Sequence, residues 1–288
     1  QTEAALTFTS GYATALGTIP VIAGKDDFII LDKLSHASLV DAARLSGATI
    51  RVFPHNDLGK LARLLDSIRS RSASATILVV TESVFSMDGD LCPLAEIVHL
   101  TEASDALLFL DEAHAVGVLG PTGMGLAESE GLQHRVAFQM GTLSKAVGLS
   151  GGYIAASKAW IDLFINRARS FVFSTAPPPA IAHAALAAFK IIASDEGTAL
   201  RDRLFKNIAI MGRSPSPVIP LILGSNEAAL AASETLIESG FLVPAIRYPT
   251  VPRGAARLRT SLSAAHPPET VAALRTVISA LAKPASRS

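Results

Sequence analysis

The sequence predicts an α/β protein: a large domain on a mostly parallel sheet flanked by helices over residues 1–195, then a smaller α+β domain over 196–288. Two observations predict the first part. Short apolar runs rich in β-branched residues alternate with helical patterns, and most of those runs are too uniformly apolar to face water on either side. A third predicts the second part, because the pattern breaks up after about residue 210.

The expected strands are DFIILD (27–32), ATIRVF (48–53), ATILVVTE (75–82), ALLFLDEAH (106–114), VAFQMG (136–141), GYIAAS (152–157) and FVFST (171–175). Between them lie the helical patterns HASLVDAARLSG (36–47), DLGKLARLLDSIRS (57–70), PLAEIVHLTEAS (93–104) and PPPAIAHAALAAFKIIAS (177–194). The last opens with prolines, which a first helical turn tolerates, and continues in helix-forming alanines. Beyond residue 210, SPVIPLILG, the helix NEAALAASETLIESG, FLVPAIRYP, ARLRTSLS and the helix PPETVAALRTVISALA make up the smaller unit, followed by the tail KPASRS.

Composition narrows the function classes. Hydrophobic residues make up 49% and charged residues 17% of the 288, enough apolar surface for a large core. Twenty-five basic residues balance twenty-five acidic ones with no basic run, which argues against nucleic acid and anionic membrane as partners. The single Cys92 has no disulfide partner within the chain and no metal-ligand spacing around it, so a reducing cytoplasmic setting without a metal site is the expectation.

Ligands of parallel sheets gather at the carboxyl ends of the strands, so polar residues just after apolar runs carry weight. Five such places stand out: TSGY (9–12), SHAS (35–38), ESVFSMDGD (82–90), DEAH (111–114) and GTLSK (141–145). DEAH after LLFL is also how the acidic motif of a nucleotide-dependent helicase looks. That reading needs GxxxxGK[ST], whereas Gly24-Lys25 and Gly59-Lys60 are followed by Asp and Leu.

A different chemistry uses all five places. Lys145 offers an amine for a Schiff base, Asp111 a carboxylate for a ring nitrogen, His36 and His114 imidazoles, and Thr142 a hydroxyl for phosphate. Pyridoxal phosphate is the cofactor with that set of demands. Gly11 and Tyr12, opening the helical pattern of SGYATAL, suit a phosphate bound at a helix N-terminus. Taken singly each residue has a plainer reading: Lys145 as a solvated loop lysine, His36 as a first-turn histidine, Ser86 as a turn former, Asp111 as a loop cap. Their joint placement favours the site.

ESVFSMDGD, DEAHAVGVLGPTGMG, GTLSKAVGLSGG and AIRYPTVPRGAARLRTSLSAAH resemble the α-oxoamine synthases, fold-type I pyridoxal-phosphate enzymes, over nearly the whole chain. The resemblance implies that Lys145 forms the Schiff base, Asp111 pairs with the pyridine nitrogen, His36 stacks on the ring, and His114 reaches its 3-oxygen with Ser86 close by. It implies that Thr142 and the backbone of Gly11 and Tyr12 hold the phosphate, joined by Ser174 and Thr175 of STAPP from the partner in a homodimer. Arg259 is expected to bind the substrate carboxylate through a bidentate fork, with His36 also facing substrate, and Arg257 to form a surface pair on the same strand. The implied activity is a decarboxylative condensation of an amino acid with an acyl thioester. The softer similarities of TESVFSMDGDLCPLAEI and AIRYPTVPRGAARLR point to L-alanine and a pimeloyl thioester of coenzyme A or acyl carrier protein, with glycine and an acetyl donor as the alternative. Against the family pattern, a segment before TFTSGY is absent and NIAIMGRSPSP (207–217) reads as two segments joined across a gap.

Overall fold

The computed structural model describes residues 2–281, so the tail KPASRS lies outside the described residues. The chain divides into two compact units, one of residues 1–85 with 91–198 and one of residues 86–90 with 199–288.

The first unit runs β1 (Ala4–Phe8), α1 (Gly11–Ile22), β2 (Phe28–Asp32), α2 (Ala37–Ser46), β3 (Thr49–Phe53), α3 (Leu58–Arg69), β4 (Ile77–Glu82), α4 (Leu94–Ala103) and β5 (Leu107–Asp111). It continues with α5 (Leu126–Ser129), β6 (Phe138–Thr142), β7 (Gly152–Ala156), α6 (Lys158–Arg167), α7 (Arg169–Val172), α8 (Pro179–Ile192) and the start of α9 (Asp195–Met211). Its seven strands lie in the order β1-β7-β6-β5-β4-β2-β3. Strands β2 to β6 pair in parallel, and β7 is antiparallel to both β6 and β1.

The uniform apolarity of the strands follows from a helical layer on each face. Successive residues of a strand point to opposite faces. Accordingly Leu78 and Val80 join Phe8, Ile19, Leu31 and Phe109 in one buried cluster, while Ile77 and Val79 join Leu61, Leu65, Ile97 and Leu108 in the other. All six residues of β4 are buried. Fully burying such side chains stabilises the fold by about 1.5–3 kcal/mol each, which is why polar residues enter only at the strand ends.

Two expectations fail here. FVFST is not a strand: Arg169–Val172 is a short helix after α6, its Phe171 meeting Phe8 edge-on at 6.0 Å while Phe173 is exposed. A short apolar run does not separate strand from helix by period, and only packing against α1 decided this one. The edge strand β1, AALTF, carried too little apolar alternation to be expected.

The second unit contains the rest of α9, then β8 (Val218–Gly224), α10 (Asn226–Glu238), β9 (Ala245–Ile246), β10 (Ala256–Ser261) and α11 (Pro268–Leu281). Its antiparallel sheet has the order β8-β10-β9, and Leu258 packs with Ala232, Leu236 and Leu274 of the helices. FLVPAIRYP contributes only the two residues of β9, between Pro244 and Pro249, because proline cannot donate to a ladder. Ser86–Asp90, the SMDGD stretch, belongs to this unit, an excursion that a single division near residue 195 leaves out. Among the described residues no helix is long and apolar enough to cross a membrane.

Gly152 is the tightest joint beside the site. A Cβ there would stand 2.6 Å from the Gly11 nitrogen and 2.7 Å from its Cα, with the Thr14 hydroxyl also at 2.6 Å. Gly152→Ala is expected to destabilise the protein by about 1–3 kcal/mol in urea unfolding, because backbone and not a flexible side chain must move. Gly24→Ala, with nothing within 4 Å of the added carbon, is the matched control and should stay near neutral.

Candidate active site

Parallel strands β4, β5 and β6 end side by side at Glu82, Asp111 and Thr142, with Glu82 and Asp111 in register. Around these ends a pocket is lined by Ser10, Gly11 and Tyr12 from the start of α1, His36 and Ser38 at the start of α2, Glu82, Asp111, His114, Met140, and Thr142, Ser144 and Lys145 of the loop after β6. Seven of the residues singled out from sequence therefore meet in one place: Lys145, Asp111, His36, His114, Thr142, Gly11 and Tyr12.

Each is held by local chemistry. Ser10 caps α1, its hydroxyl accepting from the Ala13 N–H at 3.0 Å; the first-turn N–H groups of Gly11 and Tyr12 have no intrahelical acceptor, as in any helix start. His36 is the N-cap of α2, and its Nδ1 accepts from the Ser38 N–H at 3.2 Å, with the Ser38 hydroxyl at 2.8 Å. A backbone N–H can only donate, so a neutral His36 carries its proton on Nε2.

The lysine loop is pinned from below. Leu143 and Val147 are buried against Ala185 of α8, and the Leu143 N–H donates to the Gly151 carbonyl at 2.9 Å. Thr142 is engaged within the loop, its hydroxyl donating to the Gly151 carbonyl at 3.1 Å and lying 2.8 Å from the Ser144 hydroxyl. Lys145, between the two buried anchors, is exposed and lines the pocket.

Three buried carboxyls lie at the ends of β4 and β5. Asp111, 5% exposed, accepts from the Ala113 N–H at 2.9 Å. Burial pushes its carboxyl up from the usual range, and the charge of Lys145, the Ala113 N–H and His36 oppose that rise. Glu82, 3% exposed, accepts from the His36 N–H at 2.6 Å. Glu112 turns the other way and accepts from the Leu126 and Ala127 N–H groups at 2.9 and 2.8 Å, clamping the turn after β5 to the start of α5. Gly125 permits that clamp: its φ is +116°, and a Cβ would come within 2.6 Å of the Glu112 carboxylate.

Glu82 and Ser144 were not singled out from sequence. The one signal for Glu82 is its place as the last residue of ATILVVTE, at a strand end. Ser86 falls in the second unit, where its carbonyl accepts from the Arg259 Nε at 2.6 Å. Ser174 and Thr175 are exposed and outside the pocket. In the second unit Arg259 also donates to the Ser261 hydroxyl at 2.9 Å, and burial draws its guanidinium down from its ordinary value. Arg257 corrects an expectation: it is buried, not at the surface, and it donates to Asp88 at 2.6 Å and to the Met87 and Ala255 carbonyls at 3.1 Å, not to a residue of its own strand.

A mixed sheet of this order, with an aspartate ending one central strand and a lysine loop following the next, is the large-domain architecture of the fold-type I pyridoxal-phosphate transferases. The chain belongs to the aminotransferase class I and II family, which it matches over residues 1–278, and within it to the α-oxoamine synthases, a group of pyridoxal-phosphate-dependent acyltransferases. It is 45% identical over 294 residues to 8-amino-7-oxononanoate synthase of Geobacter metallireducens, an alignment covering 98% of this chain and 74% of that protein. Among solved structures it resembles SPT with PLP internal aldimine, with a TM-score of 0.92 at 30% identity, covering 97% of this chain and 72% of the other. It also resembles 8-amino-7-oxononanoate synthase from Francisella tularensis, with a TM-score of 0.81 at 27% identity, covering 96% and 81%. These matches set the helicase likeness of DEAH aside.

Glu112 gives the unit a pH dependence of definite sign. Burial pushes its carboxyl up from 4.5 to about 7, against the pull of the Leu126 and Ala127 N–H groups. The folded state therefore holds the proton more tightly than the unfolded chain, and the stability this lends is full below about 4.5 and lost as the pH rises through about 7. Between those limits the stability of the wild type relative to Glu112→Gln should fall by about 3 kcal/mol, measured by urea unfolding of both proteins across the range.

Proposed function

We propose that the protein binds pyridoxal phosphate and condenses L-alanine with a pimeloyl thioester, releasing carbon dioxide and the free thiol carrier to give 8-amino-7-oxononanoate, a step of biotin synthesis. The observation that carries this reading is the convergence of Lys145, Asp111, His36 and His114 on one pocket in a chain 45% identical to a synthase named for that product.

The residues present fit the cofactor. The pocket offers a primary amine, a buried carboxyl that accepts from the Ala113 N–H, two imidazoles, and a helix start flanked by the Ser10, Thr142 and Ser144 hydroxyls. Lys145 would hold it covalently, Asp111 at the ring nitrogen, His36 at the ring face, and His114 with Ser86 at the 3-oxygen. Gly11, Tyr12 and Thr142, with Ser174 and Thr175 from a second subunit, would hold the phosphate. When bound, the cofactor supplies an electron sink for a carbanion at the amino acid α-carbon.

The remaining work falls to the chain. Lys145, on an exposed loop between buried anchors, would supply the amine that takes the α-proton without disturbing the sheet. Asp111, held by the Ala113 N–H with the charge of Lys145 favouring its anionic form, would face the ring nitrogen and favour a proton there. His36, with its Nε2 proton free of the Ser38 contact, can donate toward the substrate. Arg259 is assigned the substrate carboxylate, where a guanidinium fork gives two parallel hydrogen bonds.

A homodimer is part of the proposal. Val172 is 45%, Phe173 73% and Leu186 64% exposed on α7 and α8, an apolar surface next to Ser174 and Thr175 that a second copy would cover. The rival reading keeps the same residues with another amino acid and acyl chain, such as glycine and acetyl-CoA. It draws support from the higher TM-score of SPT than of the Francisella synthase. Quinonoid-region absorbance with alanine against glycine, followed by product analysis, separates the two.

Borohydride reduction of the cofactor-loaded protein followed by peptide mass mapping is expected to label Lys145, and a label on another peptide, or none, would overturn the assignment. Lys145→Ala should lower kcat by about 10²–10⁴-fold or more, with the fold intact by circular dichroism.

A further inference from the structure

We propose that Glu82 is a positioning residue of this site and that it works as a neutral carboxylic acid, fixing the backbone of His36 and leaving Asp111 as the anionic carboxylate of the pocket. The proposal rests on the proposed function only where the cofactor is concerned.

Glu82 and Asp111 are Cα partners on adjacent parallel strands, so their side chains leave the same face of the sheet about 5 Å apart at the backbone. Both are buried, at 3% and 5% exposure. Two carboxylates so placed and so poorly hydrated do not both stay ionised; the pair retains a proton.

The surroundings of the two carboxyls decide where that proton sits. Four groups face Glu82: Asp111 on β5, Asp32 at the end of β2, Lys145 after β6, and His36 ahead of α2, which approaches through its backbone N–H. Two of the four are acidic and one is a cation. Asp111 instead has the charges of Lys145 and His36 in its favour, together with the Ala113 N–H. Burial and the charge of Asp111 hold the Glu82 carboxyl well above the usual carboxylate range.

A neutral Glu82 is still a hydrogen-bond acceptor. Its Oε1 accepts from the His36 N–H at 2.6 Å. That contact and the Ser38 N–H on Nδ1 hold the N-cap residue from both its backbone and its ring, and so set where the imidazole stands.

The test begins without cofactor or substrate, so that it fails or succeeds independently of the proposed reaction. At pH 8, above the titration of Glu112 near 7, the infrared spectrum of the wild type should show a protonated carboxylic carbonyl band that moves in heavy water. Labelling the glutamate carboxyls with carbon-13 should shift the band, and Glu82→Gln should remove it. A spectrum without that band, or one whose band survives in Glu82→Gln, would overturn the proposal.

The second arm uses the cofactor-loaded enzyme. Glu82→Ala strands the His36 N–H and is expected to weaken pyridoxal phosphate binding by about tenfold or more, while Glu82→Gln, which keeps a neutral acceptor, restores it. The pH midpoint of the bound cofactor's absorption should be the same in Glu82→Gln as in the wild type. A midpoint displaced by more than about one pH unit would show that Glu82 acts through a charge, and would sink the idea as surely as a missing infrared band.

Discussion

The parallel pairing of β4 with β5, in register from Leu78 opposite Leu107 to Glu82 opposite Asp111, is the constraint on which the first unit depends. Buried on both faces, these strands tolerate polar side chains only where the ladder ends. Every ionisable group there must find an amide or a counter-charge. Asp111 finds the Ala113 N–H, Glu82 the His36 N–H, and Glu112 the start of α5. The loops that carry His114 and His36 are shaped by carboxyls drawn into the protein with them. Site and fold are here one set of hydrogen bonds.

Much of this was legible in the sequence, for reasons that differ from element to element. Strands such as DFIILD and ATILVVTE were readable because a layer on each side demands apolar residues at every position. Lys145, Asp111, His36 and His114 were readable because each follows such a run. FVFST was not, since its aromatic and β-branched residues serve contacts with α1 and an exposed apolar surface instead of a ladder. Glu82 escaped because a buried glutamate ending a strand leaves no composition signal, and its role comes from which strand lies beside it. The partner of Arg257 was beyond reach for a similar reason: Asp88 lies far from it in sequence, and only the second unit's own folding brings the two together.

The second unit has a different logic. Its antiparallel sheet is short, and Arg257, 6% exposed in its side chain, is neutralised by Asp88 at 2.6 Å. Without Asp88 the buried Arg257 guanidinium would keep the Met87 and Ala255 carbonyls but lose its counter-charge, whereas the pair as a whole stabilises little. Its value is in specifying place: with the Ser216 hydroxyl donating to the Gly89 carbonyl at 2.7 Å, it holds SMDGD in one position beside the strand that carries Arg259.

That five-residue excursion has a consequence for the life of the chain on the ribosome. Ser86–Asp90 is made early, yet every partner it has in the second unit, from Ser216 and Val218 to Arg257, is made after the first unit is complete. At about 5–20 residues per second the wait is on the order of ten seconds. During that interval the stretch is without the Ser216 hydroxyl and the Arg257 guanidinium that hold it in the complete protein. Synthesis order thus leaves a window in which a protease or a chaperone could read this segment, and the last third of the chain closes it.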